Sequence, residues 1–296
     1  YLLAGGLNGV MQIDKNYRVK LLSDNVVGTP NNEGLSFFSR KILPSAINPD
    51  VVYFGNDPSG VVALRYQNGI WHYISSLSGL MSGVVSGLIE NDDGSLWVTT
   101  TDPFSVLKIE NPLSAKEDVE IIPYGTDKGL PDVRLLSVSR LGDDIYVTTS
   151  IGLFRYDPLS DSFVSDNSLT GGFSEGVYTQ NIFRDHEGDL WFSGLGDTYF
   201  DMIFRKEQDT VMGYGGVLRL LPNAPTLGSL VRDDRVYLTK TKTVAVIDKK
   251  SIKEESSDVN TYFTLIVFGS DTIMYDNFHS DIDETSRIPI LRRLYL

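Results

Sequence analysis

A unit of about 45 residues recurs along this chain, and it constrains the fold more than any other sequence feature. Short runs rich in Val, Thr and aromatic residues recur as GSLWVTTT (94–101), DDIYVTTS (143–150) and GDLWFSGL (188–195). Runs of this composition are typical of β-strands that are buried on at least one face. The aligned central positions of the copies are Leu2, Tyr53, Trp97, Tyr146, Trp191, Tyr237 and Met274.

Each copy contains more than the central strand. An apolar run precedes that strand and is joined to it by a polar turn such as DDG (92–94), GDD (142–144) or HEG (186–188). Two further short runs follow, so each unit is predicted to form four strands joined by Gly- and Asp-rich turns. Four strands in a repeat of this length are typical of one blade of a β-propeller, which buries its faces against neighbouring blades.

The repeat therefore predicts a single all-β domain over residues 1–296, a β-propeller of about seven four-stranded blades. Six blades, or part of a larger propeller array, are the alternatives. The first unit begins inside its second strand, and the run RIPILRRLYL (287–296) is the candidate for the inner strand that would close the ring. Because the chain begins at Tyr1 within an apolar run, we expect it to be a fragment of a longer protein.

Composition argues against several classes of function. The chain has 296 residues and a formal net charge of −13, and an acidic surface repels phosphate backbones, so nucleic acid is not an expected partner. With no Cys and only 3 His, the chain has no thiolate chemistry and little for a zinc site, and we expect no cofactor and no metal. No apolar run is long enough to span a membrane, so we expect no direct membrane insertion by this chain.

One copy of the repeat carries a family resemblance. The stretch GLPDVRLLSVSRLGDDIYVTTSIGLFRYDP (129–158) resembles the two-component regulator propeller repeat, and VSGLIENDDGSLWVTTT (85–101) and VYTQNIFRDHEGDLWFSG (177–194) are similar to its first half. The resemblance is clear over 79–206 and weaker outside. It implies a sensor module of a bacterial membrane receptor whose output domain is a histidine kinase, a hybrid two-component protein or a diguanylate cyclase. In some members the ligand is an oligosaccharide, and the repeat brings no catalytic residues.

Ligand contacts on a propeller are expected in its loops rather than in its scaffold. Loops joining second to third strands share one face with those that lead to the next blade. The largest departure from the repeat on that face is GLGDTYFDMIF (194–204), where two exposed aromatic residues between carboxylates would suit carbohydrate or peptide recognition. The alternative is that these two rings fold back onto the blade. The candidate ligand-binding residues are Asp57, Asp102, Phe104, Arg134, Tyr178, Asp197, Tyr199, Phe200 and Asp201.

The other chemically suggestive residues are better explained by the scaffold. Trp97 and Trp191 stand at strand centres, where core packing is favoured over sugar stacking. The acidic cluster DIDE (281–284) beside His279 lacks the spacing of a calcium loop. The remaining members of this group are expected to be turn formers or solvated positions: His72, Asp92, Asp93, Asp185, His186 and Glu187.

The sequence thus favours a non-enzymatic sensor propeller of a membrane-anchored bacterial receptor, in the periplasm or otherwise outside the cytoplasm. The expected partners are a small-molecule or carbohydrate ligand and adjacent domains of the same receptor, with a homodimer as a further option. A structural protein-interaction scaffold is the alternative. A propeller enzyme similar to the streptogramin lyases and lactonases is less favoured, because the polar residues of the inner strands are mainly Ser, Arg, Thr and Gln, and these strands are not rich in the His, Glu and Asp that such an enzyme needs.

Overall fold

The structure of the chain is a computed structural model. It describes residues 2–6, 9–16, 18–29, 38–57, 60–77, 83–101, 103–133, 137–166, 168–169, 178–195, 198–207, 210–214, 218, 221–232, 234–241, 243–249, 265–268 and 272–276. The run 287–296, predicted to close the ring, lies outside these residues, as do His279 and the DIDE cluster. Strands dominate the described ranges, and the helical elements within them are short 3-10 turns.

The strands follow one another along the chain with short connections. They are β1 (Leu2–Gly6), β2 (Gly9–Ile13), β3 (Val19–Leu21), β4 (Val26–Val27), β5 (Phe38–Pro44), β6 (Val51–Asp57), β7 (Gly60–Gln67), β8 (Ile70–Ser76), β9 (Val84–Glu90), β10 (Leu96–Thr101), β11 (Ser105–Glu110), β12 (Glu120–Tyr124), β13 (Ser137–Leu141), β14 (Asp144–Thr149), β15 (Gly152–Asp157), β16 (Ser162–Ser165), β17 (Tyr178–Arg184), β18 (Leu190–Leu195), β19 (Tyr199–Glu207), β20 (Thr210–Tyr214), β21 (Thr226–Arg232), β22 (Arg235–Lys240), β23 (Val244–Asp248), β24 (Leu265–Phe268) and β25 (Thr272–Asp276).

These strands form seven sheets, numbered here in chain order. Sheet 1 contains β1–β3, sheet 2 β4–β8, sheet 3 β9–β12, sheet 4 β13–β16, sheet 5 β17–β20, sheet 6 β21–β23 and sheet 7 β24–β25. In sheets 3, 4 and 5, four strands lie side by side in chain order, as the repeat predicts. Sheet 2 has an additional strand, because the two-residue β4 pairs in parallel with the outer strand β8. Every predicted central position falls within a strand of its own sheet.

Sheets 1 to 5 belong to one compact unit, residues 1–213, and pack one against the next. Their first strands contact each other in the order β5, β9, β13 and β17. We call the contact between two consecutive sheets a seam, and each seam contains an apolar cluster. Central aromatic residues of the repeat lie in these clusters, which confirms that they are core residues: Tyr53 in seam 2/3, Trp97 in seam 3/4 and Tyr146 in seam 4/5.

The Gly-Leu-Pro lead of the repeat has a structural role in seam 3/4. Gly129 has a φ of +82°, and a Cβ atom on it would collide with the backbone carbonyl of Phe163 in the next sheet. Only glycine allows this close approach in a left-handed backbone conformation. The approach lets Leu130 enter the core cluster of the seam, where it is buried.

Residues 214–296 form a second compact unit, which contains sheets 6 and 7. The register of sheet 6 places Tyr237 opposite Leu230 and Val246. Val236 and Leu238 are its most deeply buried residues. Lys240 donates hydrogen bonds from Nζ to the carbonyl of Ala224 and to Thr226 Oγ1. Among the described residues of the whole chain, no helix has the length and apolar character needed to cross a membrane.

Candidate ligand-binding face

Those predicted ligand-binding residues that the structure describes lie at one end of sheets 2, 3 and 5, and we call this end of sheets 2 to 5 the turn face. It carries the turns between second and third strands, at 57–60, 101–105, 149–152 and 195–199. In sheet 5 the register places Leu195 opposite both Tyr178 and Tyr199, so the backbones of these two candidates lie at the same end of the sheet. Asp57 is the last residue of β6, opposite Phe38.

The structure describes the candidate residues to different extents. The side chains of Phe104, Tyr199, Phe200 and Asp201 are described. Only the backbones of Asp57 and Tyr178 are described, at strand ends on the turn face. The remaining candidates lie outside the described residues: Asp102, Arg134 and Asp197.

In sheet 5 the structure agrees with the alternative in which the aromatic residues pack back onto the blade, and not with an exposed loop. Tyr199, Phe200 and Asp201 are the first residues of strand β19 and pair with β18 in continuous register. Because side chains alternate along a strand, Phe200 is on the same face as Met202, and both pack against the apolar cluster of seam 4/5. Asp201 is only 6% exposed. The aromatic rings are therefore half-buried, and their proposed contact with a ligand remains a prediction.

Phe104 is also held by the scaffold. Its ring is half-buried and packs against the cluster of seam 3/4 that contains Trp97. The turn before it is fixed by a hydrogen bond of 2.8 Å from Thr100 Oγ1 to the carbonyl of Pro103. The equivalent turn of sheet 4 has the same bond, 2.9 Å from Thr149 Oγ1 to the carbonyl of Gly152, and exposes Ile151 at its tip. The described turns thus present a small number of side chains on a rigid frame.

In each Val-Thr-Thr run, the first threonine forms a hydrogen bond with the neighbouring sheet. Thr99 Oγ1 accepts a hydrogen bond from the backbone N–H of Val138 at 3.4 Å across seam 3/4. Thr148 Oγ1 donates one of 2.6 Å to the carbonyl of Thr179 across seam 4/5. These bonds join the second strand of one sheet to the first strand of the next, close to the turn face. A displacement of one first strand would therefore also move the second strand of the preceding sheet, to which it is bonded.

The first strands share an irregularity near the turn face. Arg40 of β5, Ser86 of β9 and Gln180 of β17 each face no residue of the adjoining strand, because the register shifts by one at that point. In the second unit, Leu227 of β21 occupies the same position. Such β-bulges bend a strand and are enriched beside binding sites. Sequence reasoning missed them, since a bulge leaves no signal in a run of alternating residues.

At the opposite end of sheet 5, the acidic turn is structural, as predicted. Asp185 is buried, and its Oδ1 accepts hydrogen bonds from the backbone N–H groups of Glu187 (3.0 Å) and Asp189 (3.1 Å). Its Oδ2 accepts a third bond, 2.8 Å long, from Trp191 Nε1. Trp191 itself is 1% exposed, so it belongs to the core rather than to a sugar platform.

The acidic residues of sheet 3 are also used locally. Asp93 accepts hydrogen bonds from the backbone and hydroxyl of Ser95, at 2.9 and 2.6 Å. Asp92 forms an ion pair of 2.7 Å with Arg140 of the next sheet. Both residues thus serve as turn formers or inter-sheet contacts, which confirms the scaffold interpretation.

A carboxylate also organises the rim of seam 3/4. Asp161 accepts hydrogen bonds from Lys128 Nζ (2.6 Å), Tyr124 Oη (2.6 Å) and Tyr156 Oη (2.8 Å). Lys128 first, and then the two tyrosine hydroxyls, hold the pKa of Asp161 well below its usual range. The same contact, together with the larger effect of burial, raises the pKa of Tyr124. This network fixes the outer strand of sheet 3 to the outer turn of sheet 4.

The two histidines that the structure describes do not meet on the turn face. His72 is half-buried in β8, the outer strand of sheet 2, and His186 is exposed in the turn between β17 and β18, at the end opposite the turn face. Within the described ranges, no group of three His, Asp or Glu side chains is arranged to hold a metal ion.

Two ionisable residues on first strands were missed by sequence reasoning, Lys41 and Glu90. Glu90 is 6% exposed at the end of β9, where it accepts hydrogen bonds from Ser45 Oγ (2.8 Å) and the backbone N–H of Ala46 (2.6 Å). Burial, and then Glu90, raise the pKa of the neighbouring Tyr53. The signal was available, because the basic pair in FFSRKILP (37–44) and the Glu of GLIEN (87–91) interrupt otherwise neutral strands.

Solved structures show what this arrangement is similar to. The extracellular domain of BT4673 from B. thetaiotaomicron, assigned as a hybrid two component system, matches 88% of this chain with a TM-score of 0.57 and 13% identity. Virginiamycin B lyase from Staphylococcus aureus matches 83% with a TM-score of 0.54 and 14% identity. YCF48 from Cyanidioschyzon merolae matches 82% with a TM-score of 0.52 and 12% identity.

The fold is a β-propeller. The resemblance to two-component sensor propellers is confirmed at the level of the fold by the match to BT4673. This chain spans 32% of that BT4673 chain, 76% of the lyase chain and 78% of the YCF48 chain. No protein-family model matches the sequence, and no curated protein matches it significantly.

Proposed function

We propose that this propeller is the non-enzymatic sensor module of a bacterial signal-transduction receptor and that it binds a small ligand, such as an oligosaccharide, on the turn face. The observation that carries the proposal is the fold shared with the extracellular domain of a two component system over 88% of this chain. That match also supports a location outside the cytoplasm, as part of a membrane-anchored receptor.

The use of the acidic side chains supports a binding role over a catalytic one. General acid–base catalysis needs carboxylates or imidazoles that face a substrate. Asp185 is occupied by two backbone groups and an indole, and Glu90 by a hydroxyl and a backbone group, both at the end opposite the turn face. The turn face instead presents half-buried aromatic rings, Phe104 in a turn and Tyr199 at the start of a strand, which suit the recognition of a small ligand.

The contacts across the seams provide a way for a bound ligand to change how neighbouring sheets are oriented. Thr99 and Thr148 link the second strand of one sheet to the first strand of the next, close to the turn face. A ligand that binds one orientation of neighbouring sheets more tightly than another shifts the equilibrium between them. In the proposed receptor, adjacent domains or a second copy of the chain would read that shift.

A lyase or lactonase is the second candidate, because virginiamycin B lyase and a protein assigned as a gluconolactonase share this fold. One solved form of the lyase is catalytically inactive after replacement of a histidine by alanine. In the present chain, His72 and His186 lie on an outer strand and on the end opposite the turn face. A lyase or lactonase activity would therefore have to use other residues.

A thermal-shift screen against saccharides, amino acids, short peptides and organic acids tests the proposal. A ligand at a hundredfold excess over its Kd adds about 2.7 kcal/mol to stability, which raises the Tm visibly. Tyr199→Ala should reduce the shift for a ligand that binds the turn face. Tyr73→Ala, a half-buried tyrosine on the outer strand β8, is the matched control and should leave the shift intact. Equal ligand-induced Tm shifts in both variants would mean that the ligand does not bind at β19.

A further inference from the structure

Sheet 1 is less enclosed than the four-stranded sheets of the same compact unit. Its strand β1 carries the second-strand position of the repeat, yet Leu2, Ala4 and Gly5 of β1 are exposed, Leu2 by 59%. The equivalent strands β10, β14 and β18 are buried over most of their length. A sheet that buries little surface has few contacts to oppose local opening, so we expect sheet 1 to open more readily than sheets 3 to 5.

The segment that follows sheet 1 crosses to sheet 2. After β3 the chain forms a 3-10 turn, Leu22–Asn25, which lies against β2. It continues as β4, which pairs in parallel with the outer strand β8 and places Val26 beside Trp71 and Val27 beside His72. We call residues 22–27 the latch, because they join the two sheets on the outer side of seam 1/2.

The latch supplies a large share of the apolar contact in seam 1/2. Leu22 is fully buried in the cluster of this seam, and Val26 packs against the cluster. Sheet 1 itself supplies one buried member, Val10, so the latch doubles the number of buried side chains that reach the seam from this side. Sheet 2 supplies the others: Val52, Phe54, Val62, Leu64 and Trp71.

Trp71 receives contacts from both the latch and sheet 1. Its side chain is fully buried, and its indole Nε1 donates a hydrogen bond of 3.1 Å to Gln12 Oε1 of β2. Its ring lies 4.9 Å from that of Tyr66 within sheet 2. Sheet 1 thus binds the side chain of Trp71, and the latch pairs with the strand that carries it. Trp71 would become exposed if both left sheet 2.

We propose that the latch is a conformational device that holds sheet 1 on sheet 2, and that its release lets sheet 1 leave as one unit and exposes Trp71 and the outer edge of β8. Leu22 and the β4–β8 pairing act on the same seam, so loss of either weakens the attachment of sheet 1. Sheets 3 to 5 are joined by seams of their own and stay folded while sheet 1 opens. The inference does not depend on the binding of a ligand.

Hydrogen exchange followed by mass spectrometry tests the latch. In the wild type, peptides of β1–β3 and of residues 22–27 should share one level of protection, lower than that of β13–β15. Leu22→Ala should speed their exchange at least about thirtyfold and leave β13–β15 unchanged, because truncation of a buried leucine strongly weakens the contact it makes. The matched variant Leu153→Ala removes a leucine that is 1% exposed in seam 4/5 and should leave sheet 1 unchanged. Equal acceleration of sheet 1 in both variants, or none in Leu22→Ala, would overturn the proposal.

A crosslink provides a second test that keeps the core intact. The chain has no cysteine, and Val27 and His72, which are paired in register, are exposed and half-buried. In the double variant Val27→Cys/His72→Cys, a disulfide should slow the exchange of β1–β3 at least about tenfold relative to the same protein after reduction. The single variant Val27→Cys is the control and should exchange equally under both conditions. If the crosslinked and reduced forms of the double variant exchange β1–β3 at the same rate, the latch does not control the opening of sheet 1.

Discussion

Sheets 3 and 5 hold the buried tryptophan of their second strand in different ways. In both, a tryptophan stands at the centre of the second strand and a polar residue precedes it by six positions, Asn91 before Trp97 and Asp185 before Trp191. In sheet 5 the carboxylate of Asp185 accepts the indole N–H at 2.8 Å. In sheet 3 the amide of Asn91 donates to Ser95 Oγ instead, and Trp97 Nε1 is a buried donor with no hydrogen-bond partner.

The difference shows what compensates for a missing hydrogen bond. Trp97 is surrounded by rings, with centroids 4.7 Å from Tyr124, 4.9 Å from Tyr156 and 5.4 Å from Phe163, at tilted or edge-on angles. Trp191 has one stacked neighbour, Phe183, at 5.8 Å. The scaffold thus holds one tryptophan mainly by aromatic packing and the other mainly by a carboxylate.

The largest effect is expected from removing the carboxylate of sheet 5. Asp185→Ala leaves two backbone N–H groups and one indole N–H without their acceptor and should lower the free energy of unfolding by about 3 kcal/mol. The matched variant Asn91→Ala should cost about 1 kcal/mol, because Trp97 has no bond to lose. Urea denaturation followed by tryptophan fluorescence measures both. Equal losses would mean that the indole contact contributes nothing.

The aromatic packing around Trp97 gives the next largest effect. Phe163→Leu removes an edge-on ring that is 2% exposed in seam 3/4, and we expect a loss of about 1.5 kcal/mol. Phe183→Leu, at the half-buried ring stacked on Trp191, should cost about 0.5 kcal/mol. Thermal unfolding of the two variants under one buffer provides the comparison. If Phe183→Leu is the more damaging, packing is not what distinguishes the two sheets.

Exchanging the two polar residues sharpens the comparison further. Asn91→Asp offers the indole of Trp97 an acceptor and should raise the free energy of unfolding by about 1 kcal/mol, less any repulsion from Asp92 and Asp93. Asp185→Asn should lower it by a similar amount. A lower free energy of unfolding in both variants would show that the hydrogen bond from Asn91 to Ser95 stabilises sheet 3 more than an acceptor for Trp97 does.

The smallest effect concerns acid sensitivity, which the structure places at the rim of seam 3/4. The folded-state pKa of Asp161 is below the value of about 3.9 expected in the unfolded chain. Its contribution to stability is therefore complete above pH 4 and is lost as the pH falls through the folded-state pKa. Asp161→Asn, which tolerates the local φ of 49°, should flatten the fall of Tm between pH 4 and pH 2. An unchanged profile would remove Asp161 from the acid response.

The repeat made the fold predictable, because strand composition, turn residues and a regular period all depend on local sequence. The central positions Tyr53, Trp97, Tyr146 and Trp191 lie in buried strand centres, as their spacing predicts. The sequence left two alternatives open for the aromatic residues after the turn at 195–199, because the start of a strand depends on pairing with its neighbour and not on residue type. The bulges depend on how neighbouring strands pair, and the position of Lys41 depends on how neighbouring sheets pack, and a single sequence records neither.

The most direct test of the central claim, a propeller that binds and does not transform its ligand, follows the fate of a ligand that stabilises it. Each compound that raises the Tm is incubated with the protein overnight, and its mass is then measured. The account predicts a saturable shift and recovery of the compound unchanged. A stabilising saccharide or lactone that returns with a cleaved or opened ring, at a rate above the protein-free control, would contradict it and favour a lyase or lactonase.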